Sequence, residues 1–363
     1  MHERQAHFMA NILDYLNWRG DIPFSVDPFN EVDGLILAEL AYIPLNGIVS
    51  PDFSIRAKLP HIHEHFDPEK IPETEKFFGF SHDCILLQKL AESPRFKNTQ
   101  LTGYADETTD KMQFSAITCI LEDGTAFVSY RGTDGSIVGW KEDFELGVVT
   151  QTGAQLHAQN YLNRHFARFP RQLRLGGHSK GGNLAVYAGA FCKPEIRSQI
   201  INVYAYDSPG FREEIVNSEE YKSILPKVIS IIPESSVIGL LLSSLSEHIV
   251  VKSSSNGIKQ HFAYSWEVLR NAFVRADGVS DSSEVIQKAL SGWLADFSDE
   301  ERKIFVDSVF DVIGASEKGT FREISQNKRS SYLAMVKAVG KLPPDRQTIL
   351  IDAIMKIAKN AIS

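Results

Sequence analysis

The stretch Leu173–Gly189, LRLGGHSKGGNLAVYAG, decides the fold class. Ser179 stands between an apolar run and a helix-forming run of small residues, with two glycines close on either side. A chain that turns from a strand into a helix within about two residues holds the serine at the tip in a strained backbone geometry. The flanking positions must then be small, which accounts for Gly177 and Gly181. The pattern G-x-S-x-G in this context predicts a nucleophile elbow, and a glycine-rich turn of purely structural role is the alternative.

The runs on both sides of this turn predict an α/β sheet, and together with the nucleophile elbow they predict an α/β-hydrolase fold. Apolar, β-branched runs at 201–207, 228–232 and 248–252 alternate with helix-like runs, which favours a mostly parallel sheet with helices on both faces. Asp123-Gly124 lies between two further β-rich runs and predicts a hairpin that adds antiparallel strands at one side.

The two ends of the chain have a sequence pattern that differs from that of the middle. We expect a helical N-terminal segment over residues 1–100 that packs on the core, a hydrolase core over residues 101–270, and an all-helical C-terminal region over residues 271–363. Ser298 and Glu301 form the pattern of a capping box at the start of one C-terminal helix. Strands are expected to stop near Trp266.

Composition limits the classes of function. Net charge is −8 with a pI of about 5.8 and no basic tract, which argues against nucleic-acid binding. Three dispersed cysteines, Cys84, Cys119 and Cys192, suit a reducing compartment better than a disulfide framework. The start lacks the apolar region of a signal peptide, and no apolar run approaches the roughly 20 residues that span a bilayer. We therefore expect a cytoplasmic protein.

A nucleophilic serine needs a histidine base, and a carboxylate to orient that base. In this fold the chain order is serine, then acid, then histidine, so His248 and His261 are the candidate bases. His261 is preferred because it falls in a polar loop, whereas His248 introduces a strand-like run and is the alternative. His178 is set aside because the immediate neighbour of the serine points away from it.

Two carboxylates follow strand-like runs after the turn. Asp207 ends its run before Ser-Pro-Gly and is the preferred acid, with a turn-capping role as the other interpretation. Glu234 follows the next run and is the alternative acid.

Three segments resemble the class 3 lipase family: GHSKGG at 177–182, RGTDGSIVGWKEDF at 131–144 and GAQLHAQNYL at 153–162. Together with VDGLILAELAY, YDSPGF and QHFAYSW, the chain from Asn11 to Trp266 looks closer still to a bacterial family of lipase-like domain proteins of unassigned function.

The resemblance implies an oxyanion hole formed by the backbone N–H groups of Thr133 and Lys180, with the Thr133 hydroxyl as a further donor. It also implies that Asp143 is a structural acid. Lys180 replaces the usual leucine, and the stretch 231–239, where those lipases carry their acid, has no aspartate. The second departure is another reason to prefer Asp207.

These features predict a serine hydrolase that cleaves a small-molecule or lipid ester through an acyl-enzyme on Ser179, without a cofactor. The alternative is a weakly active or inactive hydrolase-like module that binds or regulates. We expect no transmembrane segment, but transient contact with a membrane surface is compatible with the sequence. The C-terminal helices are a candidate surface for a protein partner that the sequence does not identify.

Three lesser features complete the prediction. His61, His63, Glu64 and His65 lie in a stretch interpreted as a solvated loop, with metal binding as the minor alternative. Residues 237–245 are interpreted as a flap or a buried helix. Trp140 and Trp266 are interpreted as packing residues.

Overall fold

A central eight-stranded sheet organises the molecule. The computed structural model describes residues 9–76, 79–109, 112–134, 136–167, 171–315 and 328–360. The strands lie side by side in chain order: β1 Ala57–Lys58, β2 Gln100–Thr108, β3 Gln113–Ile120, β4 Ala126–Tyr130, β5 Leu173–His178, β6 Ile200–Tyr206, β7 Val228–Pro233 and β8 His248–Val251. Pairs from β4 to β8 are parallel and pairs from β1 to β4 antiparallel. The predicted fold class, a mostly parallel α/β sheet, is confirmed.

Helices surround this sheet and occupy both ends of the chain. The described helices are α1 Ile12–Arg19, α2 Glu31–Leu40, α3 Leu59–His65, α4 Phe80–Glu92, α5 Ile137–Glu145, α6 Gly153–His165, α7 Lys180–Phe191, α8 Pro194–Arg197, α9 Glu213–Val216, α10 Glu219–Ile224, α11 Asp281–Asp296, α12 Asp299–Gly314, α13 Lys328–Val339 and α14 Pro344–Asn360. None of them combines the length and apolarity needed to cross a membrane.

Each face of the sheet has its own hydrophobic core because side chains along a strand alternate between faces. On β4, Phe127 joins the cluster formed with α1, α2 and α4, whereas its neighbour Val128 joins the cluster formed with α6, α7 and α10. The predicted hairpin is the β3–β4 pair. Its turn has Gly124 at φ 83° and is closed by the Thr125 N–H, which donates to Asp123 Oδ1 at 2.9 Å.

Two of the secondary-structure predictions are wrong. The stretch expected to be a polar loop is helix α3, which begins with a proline in its first turn and buries Leu59 and Ile62. Strands do not stop near Trp266, because β9 Val268–Leu269 and β10 Ala272–Phe273 form a short hairpin. The N–H of Val268 donates to Ala10 O at 2.8 Å, so this hairpin pairs with the N-terminal segment.

The C-terminal helices form a third hydrophobic cluster, which also includes residues from the core. Ser298 and Glu301 make the predicted capping box at the start of α12. The apolar face of α12 packs with α14 and with the region of α5, where the rings of Phe144 and Phe310 lie 5.7 Å apart. The C-terminal helices therefore contact the helix that follows the Arg131–Asp134 segment.

Candidate active site

Ser179 lies at the tip of the turn between β5 and α7, called here the serine turn (177–181). Its backbone has φ 57° and ψ −132°, a left-handed conformation that is costly for a residue with a side chain. A Cβ on Gly177 would lie 2.5 Å from Tyr130 O, and one on Gly181 would lie 2.9 Å from Tyr130 C. The neighbouring strand thus permits only glycine at both positions. Helix α7 begins at Lys180, so its free N–H groups and positive dipole end lie at the serine.

Asp207 and His261 are in direct contact. Asp207 Oδ2 lies 2.6 Å from His261 Nδ1. Asp207 immediately follows β6, in a left-handed conformation with φ 41° that re-aims its side chain. His261 ends the 3₁₀ turn Gly257–His261 and is 30% exposed, whereas Asp207 is fully buried. Of the residues predicted from the sequence, the preferred acid and base are the two that the structure brings together.

The second oxygen of Asp207 is also occupied. Asp207 Oδ1 accepts the Ser236 hydroxyl at 2.5 Å and the Gly239 N–H at 3.1 Å. Burial alone would raise the pKa of Asp207, but the hydrogen bond and charge of His261, together with the Ser236 hydroxyl, hold the pKa below its usual value. Both donors come from the stretch 231–239, which contributes hydrogen bonds to the acid in this chain.

His178 connects the serine turn to His261. Its ring centroid lies 4.6 Å from that of His261, with 33° between the ring planes. The sequence prediction set His178 aside, and this contact was missed. Because His178 immediately precedes Ser179, the contact places the His261 ring at the serine turn.

A buried carboxylate stands behind His178. Glu39 Oε1, from α2, lies 3.2 Å from His178 Nδ1, and both side chains are less than a tenth exposed. Burial lowers the pKa of His178, but the charge of the nearby Glu39 outweighs it, so that the pKa lies above its ordinary value. Sequence reasoning did not find Glu39; the available signal was a single acid within the apolar helix LILAEL.

The alternative acid and base lie elsewhere. His248 is on β8, where its Nδ1 lies 2.9 Å from Ser230 Oγ and burial lowers its pKa. The backbone of Glu234 joins β8 through a bond from its N–H to Val251 O at 3.0 Å. Among the described contacts it is Asp207, not Glu234, that meets His261.

The Arg131–Asp134 segment passes next to the serine turn. A Cβ on Gly132 would lie 2.6 Å from His178 O and 3.2 Å from Ser179 Cβ, so the backbone here is in close contact with the turn. The Thr133 hydroxyl donates to Asp143 Oδ2 at 2.5 Å. That hydroxyl is therefore committed to Asp143, and the backbone N–H is the part of Thr133 available to an oxyanion.

The Lys180 side chain is buried in an ion pair. Its Nζ lies 3.1 Å from Glu142 Oε2 and 3.2 Å from Gln113 O, and both charged side chains are 1% exposed. Glu142 also accepts the N–H of Gln113 at 3.2 Å and that of Ala154 at 2.8 Å. The residue that replaces leucine thus ties α7 to α5 and β3, a connection that the sequence prediction missed.

Asp143 is a second acid beside the turn, and its side chain is half-buried. Its Oδ1 is shielded from solvent and has no hydrogen-bond partner among the described residues. Burial raises its pKa to about 6, although the charge of Lys180 and the Thr133 hydroxyl act in the opposite direction.

Three lesser candidates have clear positions. His61, Glu64 and His65 lie on one face of α3, with ligand atoms within 4.8 Å of one another, and all three are exposed; His63 is not in this group. Residues 237–245 contain a single 3₁₀ turn, Ile238–Leu240, rather than a helix, and the Gly239 N–H contacts Asp207. Trp266 is fully buried, with its indole N–H donating to Gln260 O at 2.8 Å, whereas the Trp140 side chain lies outside the described residues.

Comparison with known proteins gives one family and several distant structures. The model of the Mbeg1-like family matches residues 90–311. Among solved structures, the Rhizomucor miehei lipase propeptide complex is 13% identical with a TM-score of 0.36, covering 47% of this chain and 70% of that one. M37 lipase is 13% identical (TM-score 0.35, 58% and 70% covered), and the lipase of Rhizopus microsporus var. chinensis 11% identical (0.30, 50% and 74%). Likeness at this level does not extend to activity. A search of curated proteins finds no significant match.

Proposed function

The chain belongs to the Mbeg1-like family, and we propose that it is a serine hydrolase that cleaves an acyl or lipid ester through an acyl-enzyme on Ser179. The observation that carries the proposal is the contact of 2.6 Å between Asp207 and His261, whose ring lies 4.6 Å from that of His178, the neighbour of the strained Ser179. A serine is a weak nucleophile unless a base takes its proton, and an aspartate bound to Nδ1 leaves Nε2 of the imidazole as that base.

In the proposed first half-reaction, Ser179 Oγ attacks the ester carbonyl while His261 Nε2 takes the hydroxyl proton. The bond between Oγ and the carbonyl carbon forms, the bond from that carbon to the alkoxy oxygen breaks, and His261 returns the proton to the departing alkoxide. Water then attacks the acyl-enzyme with His261 again as base, which releases the acid and restores Ser179. Asp207 stays ionised throughout and stabilises the imidazolium.

The oxyanion would be held by the backbone N–H groups of Thr133 and Lys180. Both segments are fixed before substrate arrives, the first by the Thr133–Asp143 hydrogen bond and the second by the Lys180–Glu142 ion pair. Donors that need no reorganisation during the reaction are the most effective in stabilising developing charge. The N-terminus of α7 adds its dipole at the same point.

One large apolar side chain is exposed near His261. Ile258 lies in the same 3₁₀ turn and is 66% exposed. A single exposed apolar side chain is ordinary, so the acyl or lipid class of the ester rests on the resemblance of residues 131–144 and 177–182 to class 3 lipases.

Labelling with a fluorophosphonate probe tests the proposal. We expect the wild-type protein to be labelled and Ser179→Ala to be unlabelled, because the probe reacts only with an activated serine. Ser208→Ala is the matched control, since Ser208 is a buried serine against the first turn of α7 whose hydroxyl donates to Pro209 O. If folded wild-type protein is not labelled, the proposal is wrong and the hydrolase-like binding or regulatory module becomes the better interpretation.

A series of nitrophenyl esters from acetate to long-chain acyl groups tests the substrate class. We expect kcat/KM to rise with acyl length until the chain exceeds the apolar surface, at about 0.8 kcal/mol for each buried CH₂. A flat or falling series would contradict the assignment of an acyl or lipid ester.

A further inference from the structure

The catalytic mechanism proposed above makes no use of the buried pair Glu39–His178. These are ionisable groups held in contact at 3.2 Å, and the imidazole of the pair lies against the imidazole of His261. Placing two charges away from water is costly, and their mutual attraction offsets this cost only in good geometry. A pair retained in this position therefore calls for a role.

The surroundings of His178 hold its ring in place. It is the last residue of β5, and the ring of Trp266 meets it edge-on with centroids 6.4 Å apart. Tyr42 lies on another side, with its ring 6.2 Å away and its hydroxyl donating to the His178 carbonyl at 3.4 Å. Glu39 comes from the buried helix α2, so both ends of the pair sit on rigid elements.

His261, in contrast, sits on a short 3₁₀ turn at the surface. Its hydrogen bond to Asp207 fixes one atom of the ring, Nδ1, but a single hydrogen bond leaves the ring free to tilt about that contact. A second contact on the flat face of the ring removes this freedom. The ring of His178 supplies that contact, at 4.6 Å between centroids.

We propose that Glu39 and His178 are positioning residues for His261. Glu39 holds the His178 ring, and the packing of that ring against His261 keeps Nε2 of His261 directed at Ser179. The inference rests on the proposed hydrolase function, and it adds a second carboxylate–imidazole pair to the first.

Three ionisable side chains surround His178. Glu39 faces it from α2, Asp207 faces it from the end of β6, and the His261 ring faces it from the 3₁₀ turn. Asp83, from α4, lies near Glu39 and accepts the Tyr264 hydroxyl at 2.6 Å. A carboxylate–imidazolium pair carries no net charge, so a His178 ring that takes up a proton next to Glu39 does not repel the imidazolium that forms on His261 during the reaction.

Three substitutions separate the parts of this arrangement. His178→Ala removes the ring that packs against His261, and His178→Phe keeps a flat ring without a charge. Glu39→Gln keeps the shape of the acid without its charge. Asp83→Asn is the matched control, because it replaces a buried acid near Glu39 that makes no described contact with His178. Activity on a nitrophenyl ester is measured as kcat and KM across pH, and the ring nitrogens of His261 are titrated by NMR.

We expect His178→Ala to lower kcat by about 10- to 100-fold with little change in KM, because the loss is one of orientation. His178→Phe should recover a large part of that loss. Glu39→Gln should move the acid limb of the kcat/KM profile to lower pH, since the removal of a negative charge makes it harder to protonate the neighbouring imidazoles. Asp83→Asn should leave kcat and the pH profile at their wild-type values.

Three results would overturn the inference: His178→Ala with wild-type kcat, His178→Phe no better than His178→Ala, or a pH limb that Glu39→Gln leaves in place. Failure of the proposed function looks different, because wild-type protein would then show no Ser179-dependent turnover. The NMR titration of His261 in Glu39→Gln would still report on the positioning contact in that case. If the titration of His261 shifts in Glu39→Gln but the protein shows no turnover, the contact between the two rings is supported and the catalytic role is rejected.

Discussion

Burial acts to raise the pKa of both Asp207 and Asp143, but the net shifts of the two acids have opposite signs. Asp207 is fully buried and its pKa is held below the usual value, whereas burial raises the pKa of Asp143 to about 6. Both belong to the same residue type and both lie beside Ser179. The difference between them is in the donors that they receive.

Asp207 has three donors and Asp143 has one. His261, Ser236 and the Gly239 N–H point at the first acid, while Thr133 alone points at the second, whose Oδ1 has no partner among the described residues. Each hydrogen bond to the ionised form opposes the cost of desolvation. The comparison teaches that the number of donors, rather than depth in the protein, decides which acid stays charged and can support an imidazolium.

Of the substitutions that test the difference between the two acids, Asp207→Asn is expected to have the largest effect. We expect kcat to fall by about 10⁴-fold, or about 5.5 kcal/mol in activation free energy, because an amide binds the wrong tautomer of His261. Glu234→Gln is the control and should retain activity. If the control loses activity and Asp207→Asn does not, the acid has been assigned to the wrong residue; the measurement is kcat on a nitrophenyl ester with folding checked by circular dichroism.

Lys180→Met should have the next largest effect, on stability. It leaves the buried Glu142 without its cation, which typically costs about 3–5 kcal/mol in the free energy of unfolding. The double variant with Glu142→Gln should recover a large part of this loss, since the uncompensated charge is then gone. Urea denaturation of the four proteins in the double-mutant cycle gives the coupling energy, and additive losses would contradict a specific pair. Loss of the Lys180 cation should also raise the pKa of Asp143 further and so widen the contrast with Asp207.

The parts of the site that sequence reasoning reached are those with local signals. Gly177 and Gly181 mark the serine turn, and the position of Asp207 between an apolar run and Ser-Pro-Gly marks the end of a strand. His261 follows from the chain order of serine, acid and histidine.

The parts that it missed depend on contacts between distant segments. Glu39 meets His178 only because α2 packs across β5. Glu142 meets Lys180 only because α5, which packs on β3, brings its acid to the first residue of α7. A sequence shows that an acid interrupts an apolar helix, but not which residue the acid faces. The error at α3 has a related cause, because alternating histidines conceal that only Leu59 and Ile62 of that stretch face the core.

Asp143→Asn tests the weaker acid through the pH dependence of stability. The pKa of Asp143 in the folded protein, about 6, lies above its unfolded value, so its contribution is fully present below pH 4 and is lost as the pH rises through 6. Relative to the variant, wild-type protein should lose on the order of 1 kcal/mol over this range, because partial exposure of the residue reduces the full effect. Asp207, whose pKa is lowered, acts in reverse and loses its contribution only as the pH falls below its unfolded value. Thermal unfolding from pH 4 to 7.5 makes the measurement, and parallel curves for the two proteins would show that Asp143 is not perturbed.

The smallest expected effect concerns the C-terminal helices, which form ion pairs with Arg212, after β6, and with Lys141 of α5. Asp299 at the start of α12 pairs with Arg212 at 2.7 Å, five residues after Asp207, and Asp307 pairs with Lys141 of α5 at 2.8 Å. Asp299 is more than half exposed, so water screens this pair and Asp299→Asn should cost about 0.5 kcal/mol in stability. Fluorophosphonate labelling should proceed at the wild-type rate, because three donors outside the C-terminal helices already hold Asp207. A marked fall in the labelling rate, with the unfolding transition unchanged, would instead show that α12 orients the acid, and the contrast between Asp207 and Asp143 would then depend on the C-terminal helices as well as on local hydrogen bonds.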